Sequence, residues 1–520
     1  MQKIGYGVTT EPLGRSGGDG PLEAKFSISG DPPAAGATGS KSVQDYIDEL
    51  PVWSDGTRLK AAPMTGMQWR IWSLAAAGKF FEGFVVFMTG VALPLIAREF
   101  HVLPAEKGIV TAGILAGILF GALLLGGLSD YFGRKRMFVA EMIIFVAFLA
   151  LLILSSSFFA LAICLFGIGL ALGCDYPTAH MVISENIPSA NRGRLVLGAF
   201  GFQALGALAG TGVGSIVLIM HPTLSAWRWM YATAMVPALA ITVARFYVVE
   251  SANWLAARGN HERAEQSVTK LLRRVPQYPT HIKLARDAGK DDSKANGGQS
   301  FWTLFTRRNR RATVFASVPW FLQDLSTYGI GIFTPVILAA AIGGKADHIR
   351  SLSDLISNAI LASKGAAMID VLLLVGIVCA VVLADRLGRI KLQIFGFIGC
   401  ALGLLLASFS VAVGGEAKIV LIFAGFMLFN FMTNLGPNAQ TYLLAGEVFP
   451  TEVRGMGAGF AASFAKIGAV TTAFLFPILL VSIGTRALLY GLVVASILGA
   501  VVTWLYRIET TGVNLDRIGH

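Results

Sequence analysis

The chain has 520 residues, of which 54% are hydrophobic and only 14% charged, and its mean hydropathy is +0.65. A soluble globule of this size needs more polar surface than that, so the composition excludes one and requires a bilayer. The net charge of +11 does not point to nucleic acid, because the basic residues sit mostly in short loops between apolar runs, where the positive-inside rule places them.

Residues 1–70 are polar and rich in Gly, Pro and Ser, and read as a largely disordered cytoplasmic tail. Within it, Val43 to Trp53 reads as a short amphipathic helix on the membrane surface. No apolar core follows a basic start near Met1, so no cleavable signal peptide is expected. Apolar runs long enough to cross a bilayer, at about 20 residues each, follow near 72–96, 108–128, 137–156, 158–183, 195–219 and 228–249. A polar, basic stretch at 250–311 interrupts them and is expected in the cytoplasm. A second six lie near 312–341, 366–384, 392–413, 417–444, 457–483 and 486–507, leaving 508–520 as a C-terminal cytoplasmic tail. The expected domains are therefore 71–249 and 312–507, six helices each. The four cysteines, Cys164, Cys174, Cys379 and Cys400, lie inside apolar runs without a C-x-x-C spacing and read as small packing residues.

Between the second and third runs stands Gly126-Gly127-Leu128-Ser129-Asp130-Tyr131-Phe132-Gly133-Arg134-Lys135-Arg136, and Leu383-Ala384-Asp385-Arg386-Leu387-Gly388-Arg389-Ile390-Lys391 repeats it some 255 residues later. Glycine allows close helix approach, the aspartate can hold an arginine of its own loop, and the basic cluster suits cytoplasmic headgroups. The pattern G-x-L-x-D-x-x-G-R-[KR] resembles the loop between the second and third helices of each half of the major facilitator superfamily. The resemblance implies an all-α membrane protein with twelve transmembrane helices in two pseudo-symmetric six-helix bundles. It also implies a conformational role for Gly126, Asp130, Gly133, Arg134, Asp385, Arg386, Gly388 and Arg389. Glu250-Ser251-Ala252-Asn253-Trp254-Leu255 is similar to the P-E-S-P-R-W-L that follows the sixth helix of sugar-porter-like members, with the Pro and Arg of that pattern absent.

Ionisable side chains inside spans are costly and mark function. Glu82, Glu141, Asp175, Asp324 and Asp370 qualify, with Lys79 and Lys466. Trp320, Asp324 and Tyr328 are spaced by four and share one helical face, a wall for a hydrogen-bonding solute. Asn430, Asn434 and Asn438 repeat that spacing beside Gly436-Pro437.

The words Gly173-Cys174-Asp175-Tyr176-Pro177, Gln203, W-x-x-x-D-x-x-x-Y and Gly436-Pro437-Asn438 resemble the proton-coupled phosphate porters of fungi and plants. That likeness implies substrate contacts by Asp175, Tyr176, Gln203, Trp320, Asp324, Tyr328, Asn438 and Lys466, and proton coupling by Glu82, Glu141, Asp175 and Asp324, with Glu82 and Glu141 as a proton pair. Departures exist: Val85 and Leu165 stand where those porters carry an acid and an arginine. Phe81-Glu82-Gly83-Phe84 with Gly90-Val91-Ala92-Leu93-Pro94 looks more like bacterial metabolite porters.

The expected function is secondary active transport, a proton-coupled symport of a small polar or anionic solute, with inorganic phosphate the first choice. The alternative is proton-coupled or passive transport of a sugar, sugar acid, or aromatic or other organic acid. A non-transporting membrane sensor is less favoured, because it needs no intramembrane acids. No metal-ligand cluster, phosphate loop or nucleophile–base pair suggests an enzyme, and no cofactor or metal is expected. The expected partners are the substrate, protons and the lipid bilayer, without nucleic acid. The expected form is a monomer in the cell (inner) membrane with both termini in the cytoplasm.

Overall fold

A computed structural model describes residues 41–50, 62–125, 128–274, 282–284, 301–342, 351–450 and 453–509. Among these are twelve helices long and apolar enough to span a membrane. They are α1 (Gly66–Glu99), α2 (Pro104–Leu124), α3 (Arg134–Ile153), α4 (Phe158–Asn186), α5 (Arg192–Met220), α6 (Ala226–Phe246), α7 (Arg310–Ala340), α8 (Leu352–Ala384), α9 (Arg389–Ala412), α10 (Gly415–Ala445), α11 (Arg454–Ser482) and α12 (Gly484–Tyr506). In hydrocarbon each backbone amide must find its partner within the segment, which is why the apolar runs resolve as helices.

Local chemistry sets the ends. Thr65 and Gln68 form a reciprocal capping box that starts α1, and Ser351 with Asp354 does the same for α8. The α8 helix begins 14 residues before the expected 366, since Asp354, Asn358 and Lys364 lower the hydropathy of its first turns without stopping the helix. The second span ends in a π-helical turn, Gly121–Leu125. The tenth is broken at Gly436, whose successor Pro437 has no amide proton to continue the ladder, so Pro437–Ala445 is a separate helical piece.

The packing repeats between halves: α1 lies on α5 as α7 lies on α11, α3 on α4 and α6 as α9 on α10 and α12. The halves meet along two equivalent seams, α2 against α11 and α5 against α8. Close approach is real along α1 and α5, where a Cβ on Gly83 would stand 2.0 Å from the Gln203 carbonyl and one on Gly206 2.0 Å from that of Phe80. Outward-facing Leu123, Ile143, Ile216, Val243, Val375, Leu402 and Val494 remain exposed, the pattern expected when the outer solvent is lipid.

On the face bearing the repeated motif, the helix Val43–Asp48 forms inside the expected amphipathic segment, but not as a surface anchor. Val43, Tyr46 and Ile47 are buried in a cluster with Val268, Leu271 and Leu284. The Tyr46 hydroxyl donates to the Lys283 carbonyl at 2.9 Å, and Arg274 donates to the Ile47 carbonyl at 2.9 Å. The apolar side that would have met lipid has a protein partner, the chain segment after α6. Positions 51–53 of the expected helix lie outside the described residues.

Candidate functional site

The centre of the protein, where α1, α5, α7 and α11 converge, holds two lysines and two acids. Lys79 and Glu82, one turn apart on α1, pair at 2.7 Å. From the other half, Lys466 on α11 lies 3.2 Å from Asp324 and 3.5 Å from Glu82. Tyr328 ties them together: its hydroxyl donates to Glu82 at 3.1 Å and accepts from Lys466 at 2.8 Å and from Gln203 at 3.0 Å. Gln203 also donates to Glu82 at 3.2 Å. Lys79 sits 3.4 Å above the Tyr176 ring, a desolvated cation–π contact. Both lysines and both acids are buried, and two basic groups set against two acidic ones is the arrangement that makes their burial tolerable. The cluster joins both halves through Lys466 and Glu82.

Beside it runs a neutral chain. Gln323 donates to Asn438 at 3.0 Å, Asn438 to Asn434 at 2.6 Å, and Thr327 meets Thr433 at 3.0 Å. Gln203, Tyr328, Asn434 and Asn438 line a gap of about 20 Å³, room for roughly one water. The Tyr176 hydroxyl is buried with no hydrogen-bond partner among the described residues.

Towards the motif face the site is closed by Tyr442, on the short piece after the α10 break. Its ring stacks on Phe200 at 4.5 Å and meets Tyr176 and Trp320 edge-on at 5.8 and 6.1 Å. Trp320 therefore joins Asp324 and Tyr328 on one side of α7, but one turn nearer the motif face. On the opposite face the halves are in contact: a Cβ on Gly90 would fall 2.1 Å from the Ile332 carbonyl, and one on Gly108 2.4 Å from that of Phe474. On the motif face a cleft of about 180 Å³ separates them, lined by Gly193, Arg194, Leu197, Ala384 and Leu443.

Two expected site residues lie elsewhere. Asp175 turns away from the central cluster to pair with Arg245 of α6 at 2.6 Å, and Glu141 lies with it, buried. Arg245 is fully buried, donates to the carbonyls of Phe138 and Leu74 and stacks 3.6 Å over Phe138. This placement requires Gly78, because a Cβ there would lie 1.7 Å from Asp175. Glu82 and Glu141 are thus separated into different clusters instead of forming one pair. Arg245 and Tyr442 were not anticipated; the sequence signal for Arg245 was a cation inside the 228–249 run, away from the Arg228 that opens it.

The motif residues form a latch. Asp130 pairs with Arg134 at 2.6 Å, and Arg134 with Glu185 at the end of α4 at 3.2 Å. Glu185 accepts from the Ser251 hydroxyl. Trp254 donates to the Asp130 carbonyl at 2.8 Å, and Glu250 accepts from the Lys135 amide at 2.9 Å. Gly133 has φ +105°, and a Cβ would meet Glu250 at 2.7 Å, so the conformation suits only glycine. In the second copy Gly388 has φ +88° and Arg389 pairs with Glu447 at 2.8 Å. Arg386 is exposed; Gly126 and the Asp385 side chain lie outside the described residues.

Twelve spanning helices in two repeated bundles, with ion pairs at the junction of the halves and motif latches at one end, define a membrane transporter of the major facilitator type. The chain belongs to the family described as "Sugar (and other) transporter", whose pattern matches residues 72–520. Among its relatives is the inner membrane metabolite transport protein YgcS of Escherichia coli, 28% identical over 89% of this chain and 96% of that one. C8E4.01c of Schizosaccharomyces pombe, named for inorganic phosphate transport, is 26% identical over 88% of each. The glucose transporter GlcP of Staphylococcus epidermidis is 26% identical over 88% of this chain and 97% of that one. The fold is that of the proton:xylose symporter XylE bound to 6-bromo-6-deoxy-D-glucose, with TM-score 0.67 and 18% identity over 87% of this chain and 98% of that one. The protein is a transporter, not an enzyme.

Proposed function

We propose that the protein is a proton-coupled symporter of a small anion, with inorganic phosphate as the first-choice substrate, bound between the halves at Lys79, Lys466, Tyr176, Gln203, Trp320, Tyr328 and Asn438. The observation that carries this reading is the pair of buried lysines, each held by an acid. A neutral solute would need no cation at the centre. An anion entering there competes with Glu82 and Asp324 for the lysines, and a proton on either acid releases one lysine to the substrate. Proton and anion then bind together and leave together, which is symport. The unpaired Tyr176 hydroxyl adds a donor.

The aromatic shell of Tyr176, Trp320 and Tyr442 favours a second reading, a sugar acid or other carboxylate whose carbon skeleton packs there; the metabolite porter among the relatives fits this. The positive-inside rule applied to the basic loops supports a cytoplasmic motif face, and the bacterial relatives support an inner membrane. In this orientation the closed opposite face is outward.

Calorimetric titration of the purified protein with phosphate, gluconate and glucose between about pH 5 and pH 8 tests the reading. Because bound protons free the lysines, anion affinity is expected to rise as pH falls. Gluconate binding without phosphate binding at any pH would move the assignment to sugar acids. Glucose binding that ignores pH would overturn the anion reading.

A further inference from the structure

Asp370, on α8, stands apart from both ionic clusters. It is buried at 2% exposure, and the polar groups acting on it are the Thr211 hydroxyl at 2.8 Å and the Asn430 amide at 3.1 Å. Among the described residues, no charged side chain acts on it. Glu82 and Lys79 of α1, and Asp324 of α7, belong to the central cluster, and Lys364, six positions earlier on α8 itself, is exposed. An ionised carboxylate here would be a buried anion without a counter-ion.

The hydrogen bonds around Asp370 accommodate a protonated carboxyl. The Thr211 hydroxyl has one proton and two acceptors in range, the Ala207 carbonyl at 3.0 Å and Asp370 at 2.8 Å. With a proton on Asp370 the chain closes: Asp370 donates to Thr211, Thr211 donates to Ala207, and the other Asp370 oxygen accepts from Asn430. Without it, Thr211 turns its one hydroxyl proton to the carboxylate and the Ala207 carbonyl keeps only its helical bond from the Thr211 amide, so the cost of ionisation is the buried charge itself.

The pseudo-equivalent seam shows that packing does not demand an acid. There Thr111 of α2 donates directly to the Ala473 carbonyl of α11 at 2.8 Å, a neutral bond between the same kinds of helices. The seam of α5 and α8 has a titratable group in the comparable place, and the bond it makes crosses from one half to the other.

We propose that Asp370 is a proton-binding site of the transport cycle, protonated while α5 and α8 are in contact and free to release its proton when they part. This rests on the symport reading but adds a proton site remote from the substrate-binding lysines. Deprotonation balances simply: the carboxyl O–H breaks, the proton goes to water entering the parted seam, and Thr211 is left to bond Ala207.

Infrared spectroscopy of the purified protein tests the site without any substrate, through the carbonyl stretch of a protonated carboxyl group. Asp370→Asn keeps a donor for Thr211 and an acceptor for Asn430, and is expected to fold normally and to lose one such band. If that variant does not fold, Thr211→Val serves: removing the partner hydroxyl should shift the band to higher frequency. Identical spectra in wild type and variant overturn the proposal. In proteoliposomes, Asp370→Asn is expected to lose phosphate uptake driven by a pH gradient while retaining phosphate counterflow, and full gradient-driven uptake would remove Asp370 from the cycle. A band present in wild-type protein that takes up no phosphate would sink the phosphate reading while still supporting a proton on Asp370.

Discussion

The two buried ionic clusters differ in balance and in reach. The central one has two cations for two acids and spans the halves. The one around Arg245 has one cation for Asp175 and Glu141 and lies wholly within the first half. A cluster that bridges moving bodies must be remade in every cycle, so its charges have to cancel and its bonds have to exchange. A cluster inside one body can be permanent, with a fully buried arginine fixed by two backbone carbonyls. On the proposed mechanism, intramembrane charge therefore has two different jobs here, cycling and scaffolding.

Several substitutions would break or sharpen that contrast. The largest effect is expected from Arg245→Met, which strands Asp175 without its counter-ion; losses of about 3–5 kcal/mol follow removal of one partner of a buried pair. Thermal unfolding in detergent should show a large drop, partly restored by adding Asp175→Asn, and an unchanged midpoint would deny the scaffolding role.

Next come Glu82→Gln and Asp324→Asn. Both keep shape, so stability should change less than in Arg245→Met, while uphill uptake is abolished and exchange between equal concentrations survives. Normal accumulation by the Glu82 variant would remove it from coupling. Trp320→Ala should mainly weaken substrate binding, by roughly 1–3 kcal/mol of lost wall, measurable by the same titration calorimetry.

Asp130→Asn should have a smaller effect, slowing turnover without changing equilibrium affinity, because the latch with Arg134 lies at the helix junction away from the lysines. A large loss of affinity at unchanged turnover would contradict that separation. Smallest of all, Trp254→Phe deletes one hydrogen bond to the Asp130 carbonyl and should cost about 1 kcal/mol of stability.

The twelve spans were legible because hydropathy over about 20 residues is a strong signal. It failed only where polar residues enter a helix that continues, as in the first turns of α8. The Trp320, Asp324 and Tyr328 face was legible from its spacing, and the structure does bring Asp324 and Tyr328 to Lys466. The pairing of Asp175 with Arg245 was not, because the partners are 70 positions apart and the sequence does not say which way either side chain turns. The decisive residue is Gly78, which contributes only the space its missing side chain leaves. The helix Val43–Asp48 shows the same limit: amphipathicity reveals an apolar side, but not whether lipid or protein covers it.

The break in α10 divides that span into two rods with a joint at Gly436. The longer rod carries Asn430 and Asn434, bonded to α8; the shorter carries Tyr442, five residues beyond the Pro437 that starts it. At 1.5 Å per residue the lever arm is about 8 Å, so a tilt of about 20° moves the ring by about 3 Å. That displacement is comparable to the thickness of the ring stacked on Phe200. A small bend of nine residues would unstop the path to the motif face, with the rest of the second half left where it stands.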